Sequence, residues 1–185
     1  MSAASADESP LTTEDKLTIA AVYVAAALAG HHPEHTQPTP TITNKEEEQM
    51  SHQLITGIPG SGLTTRAKDF ARDAVERGET VIIATRPHHT PEWNDVSGVT
   101  VSADADGVLT MAYALITDRC HRRAYDETPL TVILDGIYVT EWDAVESIVR
   151  LGRQPRVTLV MATSHDVPLR VKDNMQVEEL EPATV

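Results

Sequence analysis

The chain has 185 residues, enough for one globular domain with a sizeable core and a short appendage, but too few for two full domains. Its 28 acidic residues outnumber 15 basic ones and give a formal net charge of −13, which argues against a nonspecific nucleic-acid binder, since that role needs a basic surface. A single cysteine, Cys120, leaves no internal disulfide, and no C-x-x-C or H-E-x-x-H spacing signals zinc; a reducing, cytoplasmic compartment fits best.

Residues 1–10 are small and polar, and disorder is expected there. Residues 11–30, LTTEDKLTIAAVYVAAALAG, are expected to form a helix. Thr12 or Thr13 caps it, Glu14 and Asp15 suit its first turn, and Gly30 suits its C-terminal cap. The apolar run from Ile19 to Ala29 is shorter than the roughly 20 residues a membrane span requires, so no span is expected. MSAASADESP also lacks the basic start and apolar core of a signal peptide. Residues 31–50 carry three prolines and no apolar periodicity, and read as a linker. His31, His32 and His35 cluster in it, but a linker gives a metal no fixed geometry.

From Ser51 strands alternate with helices, the pattern of an α/β fold with a mostly parallel sheet over residues 51–185. HQLITG reads as a buried strand and LTTRAKDFARDAVERG as a helix with Ala67, Phe70, Ala71, Ala74 and Val75 on one face, closed by Gly78. TVIIAT is the second strand. After a loop containing Pro87, His88 and His89, whose histidines read as solvated, GVTVSA is the third. DGVLTMAYALITDRCHRRAYDE is a long helix, LTVILD the fourth strand, TEWDAVESIVRLG a helix, RVTLVMAT the fifth strand, and MQVEEL a last, partly exposed one.

GIPGSGLTT follows the first strand and opens a helix. It matches the phosphate-binding pattern G-x-x-x-x-G-K-[ST] except that Leu63 stands in the lysine position. Gly57, Gly60 and Gly62 supply a turn whose successive backbone N–H groups can surround phosphates, with Ser61, Leu63 and Thr65 in the cradle. Thr64 stands at the position of the hydroxyl that binds magnesium. Leucine cannot offset phosphate charge, and of Arg66 and Lys68 on the same helix, Arg66 is expected to point outward. LTVILD ends in Asp135, a candidate metal-side carboxylate with Thr64. The following residue is Gly136, so no glutamate stands there to polarise water.

These features, followed by the helix carrying DRCHRR and by VRLGRQPRVTLVMATS, resemble the motor domain of the FtsK/HerA-type DNA translocases and related conjugation ATPases. The resemblance covers about residues 51–180, with Gly152, Arg153, Ala162 and Thr163 matching the GR…AT segment and Ser164 replacing its glutamine. It implies a three-layer P-loop NTPase fold of RecA/FtsK-like type preceded by one helix. ATP and Mg²⁺ become the implied cofactors, weakly held, and Arg153 a candidate arginine acting in trans at a neighbouring subunit's site. Arg119, Arg122 and Arg123 read as charge along a helix, with carboxylate pairing on an ordinary surface as the plain alternative.

Leu63, Gly136 and Ser164 occupy the three positions whose side chains do catalytic work in that family. One charge-stabilising group in phosphoryl transfer can be worth on the order of 10³ to 10⁵ in rate. The expectation is therefore a catalytically degenerate, non-hydrolysing nucleotide-binding or regulatory module with a protein partner or a second copy of itself. The alternatives are an active DNA-transfer ATPase whose cation is Arg66 or a neighbour's Arg153, and a ligand-free scaffold. The acidic balance counsels against assuming DNA as a partner.

Overall fold

The computed structural model describes residues 51–140 and 142–182. The expected N-terminal helix (11–30), the linker (31–50) and the first ten residues lie outside the described residues. The elements are β1 (Gln53–Gly57), α1 (Leu63–Glu76), β2 (Thr80–Thr85), a 3-10 helix (Pro87–Asp95), β3 (Val99–Ser102), α2 (Ala105–Arg122), β4 (Leu130–Asp135), α3 (Trp142–Leu151), β5 (Val157–Thr163), α4 (Leu169–Lys172) and β6 (Gln176–Leu180).

The six strands form one sheet in the order β3-β2-β4-β5-β1-β6, and every pairing is parallel. Each strand returns through a crossover, so no hairpin introduces an antiparallel pair. Alternate residues of the central strands feed two separate cores. Leu54, Val132, Leu134, Leu159 and Met161 face α2 and α3, while Ile55, Ile83, Ile133 and Val160 face α1 and the 3-10 helix. The result is three layers with the sheet in the middle.

The small residues Ala67, Ala71 and Ala74 form the fully buried face of α1, with Phe70 and Val75 packed at its flanks. At the start of α2, the Asp104 carboxylate accepts the Gly107 N–H at 2.9 Å, an N-cap that the turn-forming sequence supplies. This helix stops at Arg122 and does not run on to residue 127 as its pattern suggests. Arg123 turns left-handed at φ 54°, and the Ala124 N–H folds back onto the Arg119 carbonyl at 3.0 Å.

Arg119 corrects the reading of its cluster as surface charge. It is 5% exposed, and its guanidinium donates to the Thr128 and Pro155 carbonyls, both at 2.7 Å, and to Glu127 at 3.2 Å. One side chain thus ties α2 to the turns that lead into β4 and β5. Arg122 does follow the pairing expectation, with Asp118 and Glu127 as its partners.

His52, just before β1, is fully buried, and its Nδ1 accepts the Leu159 N–H at 3.0 Å, which leaves the ring proton on Nε2. Burial, aided by the positive charge of Arg153, lowers its pKa to about 4. The unfolded chain, with an ordinary value near 6.5, takes up that proton first, so stability is full above about pH 6.5 and declines as pH falls toward 4. The expected loss is about 3 kcal/mol across that window. Denaturant melts at a series of pH values measure it, and a His52→Gln variant should show a shallower slope between pH 6.5 and 4.

Candidate functional site

The loop between β1 and α1 is closed by the Ser61 N–H donating to the Ile58 carbonyl at 3.0 Å. Gly60 and Gly62 have φ values of 89° and 92°, left-handed conformations strained for any residue with a Cβ, although nothing crowds either position. Backbone shape therefore demands glycine there. Gly62 caps α1 without a side-chain hydrogen bond, and the first intrahelical bond runs from the Arg66 N–H to the Gly62 carbonyl at 2.9 Å. The amides of Leu63, Thr64 and Thr65 consequently have no carbonyl partner in the helix and form its electropositive end.

Asp135 ends β4 and is 3% exposed. Its two carboxylate oxygens are held separately: the Thr64 hydroxyl donates to one at 3.0 Å, and the Trp93 indole N–H donates to the other at 3.1 Å. The Thr85 hydroxyl donates to its backbone carbonyl at 3.3 Å. Burial pushes the carboxyl pKa up, and the hydrogen bonds from Thr64 and Trp93 oppose that shift.

Sheet order brings the loop and this carboxylate together. Because β5 lies between β1 and β4, its carboxyl end opens between them, and Thr163 and Asp135 stand in register with Thr56 and Ala162. A cavity of about 390 Å³ occupies this end of the sheet. Gly60, Gly62, Leu63, Thr64 and Thr65 line one side, Asp135, Gly136 and Ser164 the strand ends, and Arg86 and His89 the rim beyond β2. Gly57 and Ser61 are not part of that lining, yet Ser61 Oγ lies 2.4 Å from where a Cβ on Gly57 would stand, so the two pack as a unit. That hydroxyl oxygen is buried and lacks a hydrogen-bond partner among the described residues.

The donor set fits a phosphate and a divalent cation. Free amides at a helix start suit an anion, while a hydroxyl paired with a buried carboxylate supplies hard oxygen ligands. Among the described residues no cluster of three His, Cys, Asp or Glu side chains could hold a metal alone. A magnesium ion here would share Thr64 and Asp135 with phosphate oxygens and water.

The other sequence candidates lie elsewhere. Arg66 is bound to Glu178 on β6 at 2.9 Å and covers the Phe70 ring, and Lys68 is paired with Asp95 at 2.7 Å. Neither faces the cavity. Arg153 is exposed in the turn that precedes β5, at the opposite end of the strand from Ser164. Seven strand residues span roughly 20 Å, so Arg153 cannot reach this chain's own cavity.

Sequence reasoning missed Arg86, His89 and Trp93. Arg86 immediately follows a parallel strand, and the carboxyl ends of such strands are where α/β sheets bind ligands, so a signal for it existed. His89 is not a free loop histidine: it pairs with Glu92. Trp93 is buried in a segment without apolar periodicity, and nothing local announces its reach to Asp135. Among the described residues no helix is long and apolar enough to cross a membrane.

No protein-family model matches the chain, and no curated protein matches it in sequence. Its fold is similar to that of the cytoplasmic domain of the type VII secretion ATPase EccC of Thermomonospora curvata, with a TM-score of 0.56 and 15% identity over 73% of this chain. It is also similar to the pCW3 conjugation coupling protein TcpA, whose monomer form was solved with ATPγS, with a TM-score of 0.51 and 12% identity over 68% of this chain. The chain spans 20% of the EccC chain and 47% of the TcpA chain. With its six-stranded parallel sheet, and its glycine loop between the first strand and the first sheet-packing helix, the chain has the P-loop NTPase fold.

Proposed function

We propose that this chain is a nucleotide-binding module that holds a nucleoside triphosphate with magnesium without hydrolysing it, and that it acts on a protein partner or a second copy of itself. The Thr64–Asp135 hydrogen bond carries the reading: the pair that would share a magnesium ion is assembled beside the glycine loop that opens α1. The amides of Leu63, Thr64 and Thr65 would face the phosphates. Magnesium, when bound, would neutralise phosphate charge.

Support for the absence of hydrolysis comes from what lines the rest of the cavity. Leu63 brings no charge, and Ser164 offers a short hydroxyl where the motor pattern has a glutamine. Gly136 has no side chain where the motor pattern places a glutamate. Its φ of 63° is left-handed, so a glutamate placed there has room but is strained. Arg153, remote from this chain's cavity, could act only on a neighbouring copy.

Titration of the purified chain with Mg-ATP, with phosphate release followed in parallel, tests this directly. Binding with a Kd below about 1 mM, or roughly 4 kcal/mol, is expected without phosphate release above background. Turnover of order 1 s⁻¹ would rule out the non-hydrolysing reading, and no binding at millimolar ATP would rule out the nucleotide. Restoring the pattern with Gly136→Glu is expected to leave turnover absent and to lower stability by about 1 kcal/mol or more.

Asp135→Asn separates the metal from the fold. Because burial raises the carboxyl pKa, the native state keeps its proton longer than the unfolded chain does. The ionised group therefore lowers stability as pH rises through the folded value. Asparagine removes that cost, and the Thr64 hydroxyl can reverse its role and accept from the new amide. The variant should melt at neutral pH no lower than the parent while its ATP affinity loses its dependence on Mg²⁺; a full magnesium dependence would exclude Asp135 as the ligand.

A further inference from the structure

We infer that Arg86 supplies the phosphate-directed charge that Leu63 withholds, so that the cavity selects ligands by their terminal phosphates. This rests on the cavity being a nucleotide site. Thr85, the last residue of β2, stands in register with Asp135, so the next residue begins at the cavity rim. There the Arg86 backbone is extended, and its carbonyl accepts the His89 N–H at 2.9 Å, which fixes the point from which the side chain departs. Leu63 lines the same cavity from the loop side and leans on the core beneath α1.

The charge of Arg86 is available. The basic side chains of α1 are already committed: Arg66 to Glu178, Lys68 to Asp95, and Arg72 to Asp69 and Asp95. Arg86 makes no ion pair among the described residues and is exposed, in a chain of net charge −13. The carboxylates nearest the cavity are occupied by others, Asp135 by Thr64 and Trp93, and Glu92 by His89. An arginine with no carboxylate partner among the described residues, placed across from electropositive helix amides, has a phosphate as its natural partner. Its planar fork can grip two oxygens of one phosphate at once, which a lysine at position 63 could not do.

The test uses the full chain and four proteins, the parent, Arg86→Ala, Leu63→Lys, and both changes together, titrated with Mg-ATP and with AMP. Thermal melts confirm that the exposed Arg86 side chain can be removed without unfolding. Arg86→Ala should weaken ATP about 10- to 100-fold and AMP far less, since hydrogen bonds to charged groups carry that much. Adding Leu63→Lys to Arg86→Ala should recover most of the loss, and the two changes should be non-additive because both address the same phosphates. Unchanged ATP affinity in Arg86→Ala, an equal loss for AMP, or a loss that Leu63→Lys leaves unrepaired would each overturn the inference while nucleotide binding by the parent stands. A parent that binds no ATP overturns the nucleotide reading itself and this inference with it.

Discussion

The hydrogen bond from the Thr64 hydroxyl to the Asp135 carboxylate holds the site together, and it imposes a strict demand on the fold. Its partners belong to elements that follow β1 and end β4, and β5 runs between those strands. At about 4.8 Å per strand the two ends are roughly 10 Å apart, so α1 must lie low across the sheet for its first turn to reach Asp135. The alanine face of α1 makes that approach possible. Larger residues at positions 67, 71 and 74 would lift the helix off the sheet and break the bond before any residue of the loop had changed.

The same contact explains how a buried carboxylate is tolerated without a neighbouring lysine. Desolvation disfavours the charge, and two donors from separate segments, Thr64 on α1 and Trp93 on the 3-10 helix, offset part of that cost. Trp93 therefore anchors the segment that carries Arg86 and His89 to the same residue that anchors the phosphate loop. Loop, strand end and rim converge on one carboxylate.

Much of this was legible in the sequence because it is written locally. TVIIAT and LTVILD match β2 and β4 residue for residue, since short, mostly apolar runs rich in Val, Ile and Thr leave little choice. The glycine loop announced its own conformation, and Asp135 its place at a strand end. What the sequence hid depends on contacts distant along the chain. The burial of Arg119 comes from carbonyls at positions 128 and 155, and the role of Trp93 comes from a carboxylate 42 residues away. The early end of α2 turns on one arginine adopting a left-handed conformation, which its identity does not advertise. Arg86 lay between: its position after a parallel strand was readable, but only the sheet order showed that this strand borders the one ending in Asp135.

The proposed function requires that the loop still receive phosphates although the side chains of hydrolysis are missing. Phosphorus NMR of Mg-ATP mixed with the protein observes binding and hydrolysis in one sample. The β- and γ-phosphate resonances are expected to shift or broaden while ATP stays intact over hours. Resonances identical to those of free Mg-ATP, or the steady appearance of ADP and inorganic phosphate, would contradict the proposed function.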